Sequence, residues 1–223
     1  MTDAATLYRL MAWLSPAYPV GAFSYSHGLE YAVEEGHITD AATTRAWLED
    51  VIDLGAGRND AIFCACAHRA AGAGDGEALA EIVEFAAAFS ATAELALETR
   101  AQGTAFLKAT RAAWPTPALD LLPGDCAYPV AVGVAAAGHG VGLDATLVGY
   151  VQAFAANLVS AAVRLVPLGQ TDGQRVTAAL EPAIVATASR AASLGLEDAG
   201  SATLMTDYCS MMHETQYTRL FRS

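Results

Sequence analysis

Basic side chains are scarce in this sequence of 223 residues, in which 12 Lys and Arg stand against 24 Asp and Glu, for a formal net charge of −12. A surface this acidic repels a phosphate backbone, so the composition argues against a nucleic-acid-binding protein. Acidity also favours a partner with a basic face, although surplus charge of one sign serves solubility equally well.

Cysteines are also few, and the four lie at positions 64, 66, 126 and 209. They lack the dense, even spacing of a disulfide framework. No stretch of positive charge followed by an apolar run precedes them, as a secretory leader would require. We therefore expect a cytoplasmic protein.

Signals for β-strands are nearly absent, since alternating β-branched and aromatic residues hardly occur and alanine is abundant. Hydrophobic residues make up 54 % of the chain and charged residues 16 %, a composition that favours a folded core. The sequence predicts one all-α domain over residues 1–223, a bundle of roughly eight to ten helices. The longest helix is indicated by apolar residues at steps of three and four: Leu147, Val151, Phe154, Leu158, Ala161 and Leu165.

Two neighbouring runs, 127–142 and 145–163, contain no Asp, Glu, Lys or Arg, and a hairpin of two membrane spans is the alternative that they raise. The first run is short and contains Pro129, His139 and four glycines, while six of the 19 residues of the second run are alanine. A spanning helix needs about 20 strongly apolar residues. We interpret both runs as core helices and expect no membrane insertion.

Signs of catalysis are missing as well. The glycine-rich stretch 138–142 follows no strand and does not end in Gly-Lys-Ser/Thr, so it lacks the features of a phosphate-binding loop. Ser24, His27 and Glu30 could be combined into a triad only from a single helical turn, whereas such triads converge from separate elements. The chain is not expected to be an enzyme.

One metal-binding possibility lies in the sequence Cys-Ala-Cys-Ala-His of residues 64–68. Cys64 and His68 share a helix face, so a third donor would complete a site for zinc, nickel or copper. Cys66 points roughly the other way, and no second cysteine pair is present. We interpret the thiols as buried and inert and predict no metal ligands, leaving a stand-alone nickel metallochaperone as the alternative function.

The stretch Ser15–Glu30 is the first of three unusual segments. Pro16, Pro19 and Gly21 must turn the chain, after which Ser24 or Ser26 can cap a second helix that ends near Gly36. This arrangement predicts that three aromatic or imidazole rings, those of residues 23, 25 and 27, lie near an exposed helix start. The alternative is a small satellite core.

The second unusual segment is Arg164–Gln174. Thr171 or Asp172 can cap a helix expected over Arg175–Leu194, and this structural role is a sufficient explanation of the polar residues. The alternative is a polar patch, including Gln170 and Gln174, that a partner recognises.

The third segment is the tail, which we place at about 203–223, within a last stretch of the chain that begins near Ser201. The tail ends in a sequence that is both apolar and basic. Met211, Tyr217 and Phe221 accompany Arg219 and Arg222 there, whereas chain ends are usually polar and frayed. Tyr and Arg are frequent anchors of protein interfaces. The tail is therefore either a docking surface or a helix packed back on its own core.

Taken together, residues 18–30, 164–174 and 213–223 resemble the UreF family of urease accessory proteins in order, spacing and chain length. The resemblance implies a dimeric, cytoplasmic, all-helical adaptor that is not an enzyme. Members of this family bind the accessory protein UreH, also called UreD, and recruit the nickel-carrying GTPase UreG, so that GTP hydrolysis is coupled to nickel insertion into apo-urease. No firmly bound cofactor is implied, although nickel passes through the complex.

The resemblance also implies roles for particular residues. The tail becomes ordered when UreH binds, Arg219 matches an arginine that contacts the GTPase, and Phe23 matches an aromatic position of the same assembly. The uncharged face of the helix at 143–165 is a candidate for a symmetric dimer interface. The full set of predicted partner-binding residues is Phe23, Ser24, Tyr25, His27, Glu30, Gln170, Asp172, Gln174, His213, Glu214, Tyr217, Arg219, Phe221 and Arg222.

Overall fold

A computed structural model of the protein describes residues 3–223 and contains α-helices and short 3₁₀ helices, with no strand in that range. The all-α prediction and the number of helices are confirmed. The 3₁₀ helices are Ala22–Ser24, Pro117–Leu121 and Leu196–Asp198. The α-helices are α1 (Ala4–Trp13), α2 (Leu29–Glu34), α3 (Ala41–Leu54), α4 (Ala56–Ala73), α5 (Gly76–Ala88), α6 (Ala93–Ala113), α7 (Tyr128–Gly138), α8 (Leu143–Leu165), α9 (Gln170–Ala191) and α10 (Leu204–His213).

The centre of the bundle is formed by α4 and α7, which make the most extensive contact between any two helices of residues 3–223. Their close approach depends on Gly133 of α7, because a Cβ atom at this position would collide with the backbone carbonyl of Cys64 on α4. Nearly every residue of α7 is buried, so the helix has no polar face. α8 and α9 pack against each other and enclose this centre from one side.

The apolar spacing predicted for α8 is found in the structure. Leu147, Val151, Leu158 and Ala161 are buried, while Phe154 is partly buried against the core. Within residues 3–223, α8 is the one helix whose length and composition would suffice to cross a membrane, and half of its most apolar window is buried inside the protein. α7, at 11 residues, is too short to form the second span of a hairpin.

The start of α9 differs from the prediction. The helix begins at Gln170, with Gly169 as the N-cap and no side-chain cap, so Thr171 and Asp172 lie inside its first turn. Asp172 instead accepts a hydrogen bond of 2.8 Å from Arg175. The extended backbone of Gly169 already sets the first turn, and a glycine is tolerated as an N-cap.

Candidate docking site

The bend, residues 15–28, turns through three backbone positions with positive φ before α2 begins, and one of them, His27 with φ 59°, is not a glycine. Gly21 has φ 74° and Gly28 has φ 76°, and a 3₁₀ turn from Ala22 to Ser24 follows the first of them. Ser26 accepts a hydrogen bond of 3.3 Å from the Glu30 amide, so the capping role predicted for Ser26 is confirmed in part. The N-cap residue itself is Gly28.

The three rings of the bend differ sharply in exposure. Phe23 is 70 % exposed, as expected for a docking residue, but Tyr25 and His27 are only 3 % and 8 % exposed. The prediction that all three lie near an exposed helix start is therefore wrong for the two buried rings. Tyr25 and His27 lie under a part of the chain that is distant in sequence.

That covering part is the terminal segment, residues 214–223, which follows α10. The Arg222 amide donates to the Ser24 carbonyl at 2.8 Å, and the Ser26 amide donates to the Ser223 carbonyl at 2.8 Å. The Phe221 and Ser223 side chains are buried. In this conformation the segment is packed back on the body, and its dependence on a partner stays a prediction.

Glu30 is the principal acceptor for the terminal segment. Its Oε1 accepts from the Leu220 amide at 2.6 Å and its Oε2 from the Phe221 amide at 2.9 Å, while His213 Nε2 lies 3.1 Å from Oε2. Hydrogen bonds to an ionised carboxylate are about twice as strong as neutral ones. One buried side chain of α2 thus fixes the backbone next to Arg219.

A second carboxylate, Glu94 in the first turn of α6, contacts the same region. Its Oε1 accepts from Arg219 Nη1 at 2.9 Å, and its Oε2 lies 2.7 Å from Nδ1 of the fully buried His213. Sequence reasoning did not single out Glu94, because nothing local distinguishes it from other acidic residues at helix starts. Its partners follow it by more than a hundred positions.

A third carboxylate, Glu98, lies one turn further along α6. It accepts a hydrogen bond of 2.7 Å from the Ser223 hydroxyl, and His27 Nδ1 lies 3.5 Å away in a charge contact without hydrogen-bond geometry. Burial alone would lower the pKa of His27, but the Glu98 carboxylate, assisted by Asp60 and Asp207, raises it. His27 is therefore a buried imidazole beneath the terminal segment, and its surroundings favour the protonated form.

Arg164 joins all three segments that stood out in the sequence. Its Nη1 donates to the Phe23 carbonyl at 2.9 Å, and its guanidinium carbon lies 4.3 Å from the centroid of the Phe221 ring. Arg164 belongs to the second segment but was not selected as a site residue. The signal in the sequence that could have indicated a stacking partner for Arg164 was Phe221, an aromatic residue near the end of the chain.

The other predicted residues of the second segment are not brought to this site. Gln170 and Gln174 are exposed and Asp172 is partly buried on α9, and no hydrogen bond within residues 3–223 links them to the bend or to the terminal segment. Whether they form a separate patch for a partner stays a prediction.

The remaining predicted residues lie on or near the surface of the terminal segment. Glu214 accepts from the Ala93 amide at 3.2 Å, at the start of α6, where the helix dipole favours a negative charge. Tyr217 is fully exposed, and the Arg222 guanidinium lies 5.8 Å from the Tyr25 ring. Tyr217, Arg219, Arg222 and Phe23 are thus the accessible members of the predicted set with interface-anchor chemistry.

Next to the bend lies a cavity of about 390 Å³ whose lining is mainly apolar. Asp60, Glu98 and Asp207 contribute carboxylates to its wall, and no Lys or Arg side chain lines it. Burial raises the pKa of Asp60 to about 6, against a 2.7 Å hydrogen bond from the Tyr150 hydroxyl that lowers it. Asp60 can consequently exchange a proton near neutral pH.

Neither the metal site suggested by Cys64 and His68 nor the triad of Ser24, His27 and Glu30 is assembled in the described part of the chain. His68 Nε2 lies 2.8 Å from the Val141 carbonyl, and residues 3–223 contain no group of three or more potential ligands arranged around a metal position. Burial raises the pKa of the Cys64 thiol far above its usual value, in agreement with the interpretation of the cysteines as buried, inert thiols. Glu30 bonds the terminal segment and His213, so it cannot complete a triad with Ser24 and His27.

α10, just before the terminal segment, carries an exposed apolar stripe. Leu204, Tyr208 and Met211 follow one another at steps of four and three and are 79 %, 46 % and 50 % exposed. Contiguous apolar surface of this kind is typical of a protein–protein interface. It lies beside the region that Glu30 and Glu94 hold in place.

Comparison with known proteins covers almost the entire chain. The UreF family model matches residues 38–181. Urease accessory protein UreF of Rhodopseudomonas palustris (strain BisB5) is 55 % identical over 225 residues, covering 99 % of this chain and 93 % of the relative. The protein of that name from Bradyrhizobium sp. (strain BTAi1) is 54 % identical, with coverages of 99 % and 93 %, and that from Methylorubrum populi is 55 % identical, with coverages of 96 % and 98 %. The resemblance carried by the three segments is thereby confirmed, and the chain belongs to the UreF family of urease accessory proteins.

Proposed function

We propose that this protein is an adaptor in urease maturation. It binds a UreH/UreD-type accessory protein and recruits a UreG-type GTPase, so that GTP hydrolysis is coupled to the insertion of nickel into apo-urease. It acts as a homodimer in the cytoplasm and performs no catalysis. No cofactor is firmly bound, and nickel passes through the complex.

The observation that carries this proposal is the construction of the terminal segment. Buried groups hold its backbone, while Tyr217 is fully exposed and the Arg219 side chain is 41 % exposed. Interface hot spots are rich in Tyr and Arg because both combine a large contact area with directional donors. A rigidly held segment also loses little conformational entropy when a partner binds it.

Two neighbouring surfaces are suited to two different partners. The stripe of Leu204, Tyr208 and Met211 on α10 is apolar and suits a stable interface, for which we propose the UreH/UreD-type protein. Arg219 provides a charged, directional donor, and we assign it to the contact with the GTPase. Phe23, held through its carbonyl by Arg164, contributes an aromatic anchor to the same assembly.

The dimer contact is assigned to the groove between α8 and α9. Val148 and Val185 flank this groove and are 36 % and 48 % exposed, and a shallow cavity of about 300 Å³ separates the two helices there. A second copy of the chain would cover the same apolar face in both protomers, as a two-fold interface requires.

Co-purification with the candidate accessory proteins and apo-urease tests the proposal. The full chain should retain the UreH/UreD-type protein and the GTPase together, and a variant lacking residues 219–223 should lose the GTPase. Arg45→Ala is the matched control, since Arg45 is also an exposed arginine paired with a glutamate, at 2.8 Å from Glu49. Retention of the GTPase by the truncated variant would contradict the adaptor mechanism.

Equilibrium dialysis against nickel separates the adaptor from the stand-alone metallochaperone. An adaptor through which metal passes binds nickel weakly or not at all when isolated. Tight, stoichiometric nickel binding by the purified dimer would favour the metallochaperone and contradict the proposal.

A further inference from the structure

His213 at the end of α10 lies between two carboxylates that come from different helices. Its Nε2 is 3.1 Å from Glu30 Oε2 on α2, and its Nδ1 is 2.7 Å from Glu94 Oε2 on α6. The His213 side chain is completely buried, so water cannot replace either contact. Both ring nitrogens are therefore committed to acidic oxygens.

This arrangement sets the number of protons in the bridge. A neutral imidazole donates from one ring nitrogen only, and an ionised carboxylate cannot donate at all. A neutral His213 ring between two ionised carboxylates can therefore make only one of the two hydrogen bonds. Both contacts can be hydrogen bonds only if His213, Glu30 and Glu94 together hold one further proton. Without that proton, a nitrogen lone pair would face a carboxylate oxygen in a buried site, which is strongly unfavourable.

Each of the two carboxylates also holds a part of the terminal segment. Glu30 accepts from the amides of Leu220 and Phe221, and Glu94 accepts from Arg219 Nη1. His213 fixes the orientation of both carboxylates from the opposite side. A change at His213 must therefore reach the backbone through Glu30 and the arginine through Glu94.

We propose that His213 is a positioning residue that sets the backbone of residues 220–221 through Glu30 and the Arg219 guanidinium through Glu94. The link from Arg219 to GTPase recruitment rests on the proposed function. The positioning itself is a property of the isolated protein.

The charged groups facing this bridge are few. They are Glu30 from α2, Glu94 from α6 and Arg219 from the terminal segment. The next carboxylate on α6, Glu98, faces His27 and Ser223 instead. The bridge therefore has its own set of charged partners, separate from those of His27.

Two substitutions test the two contacts of His213 separately, the contact with Glu30 and the contact with Glu94. The side-chain amide of His213→Gln can donate from a position near the original Nε2, towards Glu30, and that of His213→Asn from a position near the original Nδ1, towards Glu94. Hydrogen exchange of the Leu220 and Phe221 amides reports on the Glu30 half. We expect His213→Gln to stay within about threefold of the unsubstituted protein and His213→Asn to exchange about tenfold faster or more, as loss of a bond to a charged group predicts.

The difference between these two variants supplies a readout that loss of packing alone would not change. A ring that only filled space would be replaced equally well or equally badly by Gln and Asn, and both variants would exchange at the same rate. Equal exchange of the Leu220 and Phe221 amides in the Gln and Asn variants would overturn the proposal.

Glu94→Gln tests the other half without altering the buried ring, and it also covers the case in which the histidine variants fail to fold. It should leave exchange of the Leu220 and Phe221 amides within about threefold, since Glu30 retains its own bonds. Accelerated exchange of these amides in Glu94→Gln would overturn the assignment of separate halves. Exchange is measured without partners, so failure of the unsubstituted protein to recruit the GTPase would contradict the proposed function and leave this test intact.

Discussion

Arg164 stacks on Phe221, with the guanidinium carbon 4.3 Å from the ring centroid, and so connects the end of α8 to the terminal segment. The same guanidinium donates to the Phe23 carbonyl. A cation–π contact of this kind contributes about 0.5–2 kcal/mol, depending on how far it is desolvated. The contact is thus strong enough to shift a marginal equilibrium of the segment between docked and undocked forms.

The first prediction concerns this contact. Arg164→Lys keeps the charge but loses the planar stacking surface and the fork of donors, so the terminal segment should undock more often. Limited proteolysis after Arg219 or Arg222 should accelerate severalfold, while the helical content measured by circular dichroism stays unchanged. Arg175→Lys, at an exposed arginine of α9, is the control. Equal cleavage rates for Arg164→Lys and the control would show that Arg164 does not hold the segment.

The second prediction concerns Arg219. Arg219→Ala should abolish recruitment of the UreG-type GTPase in a pull-down, because the substitution removes the charged donor assigned to that contact. The ion pair with Glu94 is partly exposed, so its loss should change the free energy of unfolding by less than about 1 kcal/mol. Helical content should be intact. Unchanged pull-down of the GTPase would count against the assignment.

The third prediction concerns Asp60 and pH. Because burial raises the folded-state pKa of Asp60 to about 6 from an ordinary value of 3.8, the folded state binds the proton more tightly than the unfolded state. This group therefore lowers the free energy of unfolding as pH rises from about 4 to about 6, by at most about 3 kcal/mol. Asp60→Asn should remove that part of the pH dependence in urea unfolding measured at several pH values. A slope identical to that of the unsubstituted protein would contradict the prediction.

His27 adds to the same profile at higher pH. Its pKa is raised above the ordinary 6.5, so its contribution is fully present below that pH and is lost as pH rises through the folded-state value. Asp60→Asn should retain this second decline in reduced form, because Glu98 still raises the pKa of His27 while the assistance of the Asp60 charge is lost. The two groups can therefore be separated in one series of unfolding curves.

The fourth prediction concerns the dimer. Val185→Glu places a charge on the exposed apolar rim of the groove between α8 and α9, and burial of an unpaired carboxylate in an interface is costly. Light scattering at micromolar concentration should show a dimer for the unsubstituted protein and a monomer for the variant. Leu121→Glu, at a similarly exposed position outside the groove, should remain dimeric. A dimer of Val185→Glu would remove the assignment of this face.

Much of the fold followed from local patterns. The three- and four-residue spacing predicted α8, and a local signal of the same kind is the capping box that Asp40 and Thr43 form at the start of α3. The spacing on α3 is less informative, since Leu54 stands at helical spacing from Trp47 and Val51 and is nevertheless 45 % exposed, while Thr44 of that helix is buried. The difference arises because tertiary packing, and not hydrophobicity alone, decides which face of a short helix is covered.

The site was harder to predict because its contacts join distant parts of the chain. The bend and the end of the chain were recognised as unusual, but nothing local showed that one would cover the other. The burial of Tyr25 and the roles of Glu94 and Arg164 all follow from that long-range contact. A sequence motif identifies which residues are special without showing which of them face solvent.

The absence of a side chain at Gly133 also has a genetic use. Since α7 and α4 touch through that position, Gly133→Ala would push the centre of the bundle apart while leaving every exposed anchor of the site unchanged. A strain carrying Gly133→Ala would be deficient in the folded protein itself. A urease-negative strain carrying Arg219→Ala can be compared with it. If the two strains differ in the amount of folded protein, the Arg219→Ala strain has lost a contact and not the whole protein.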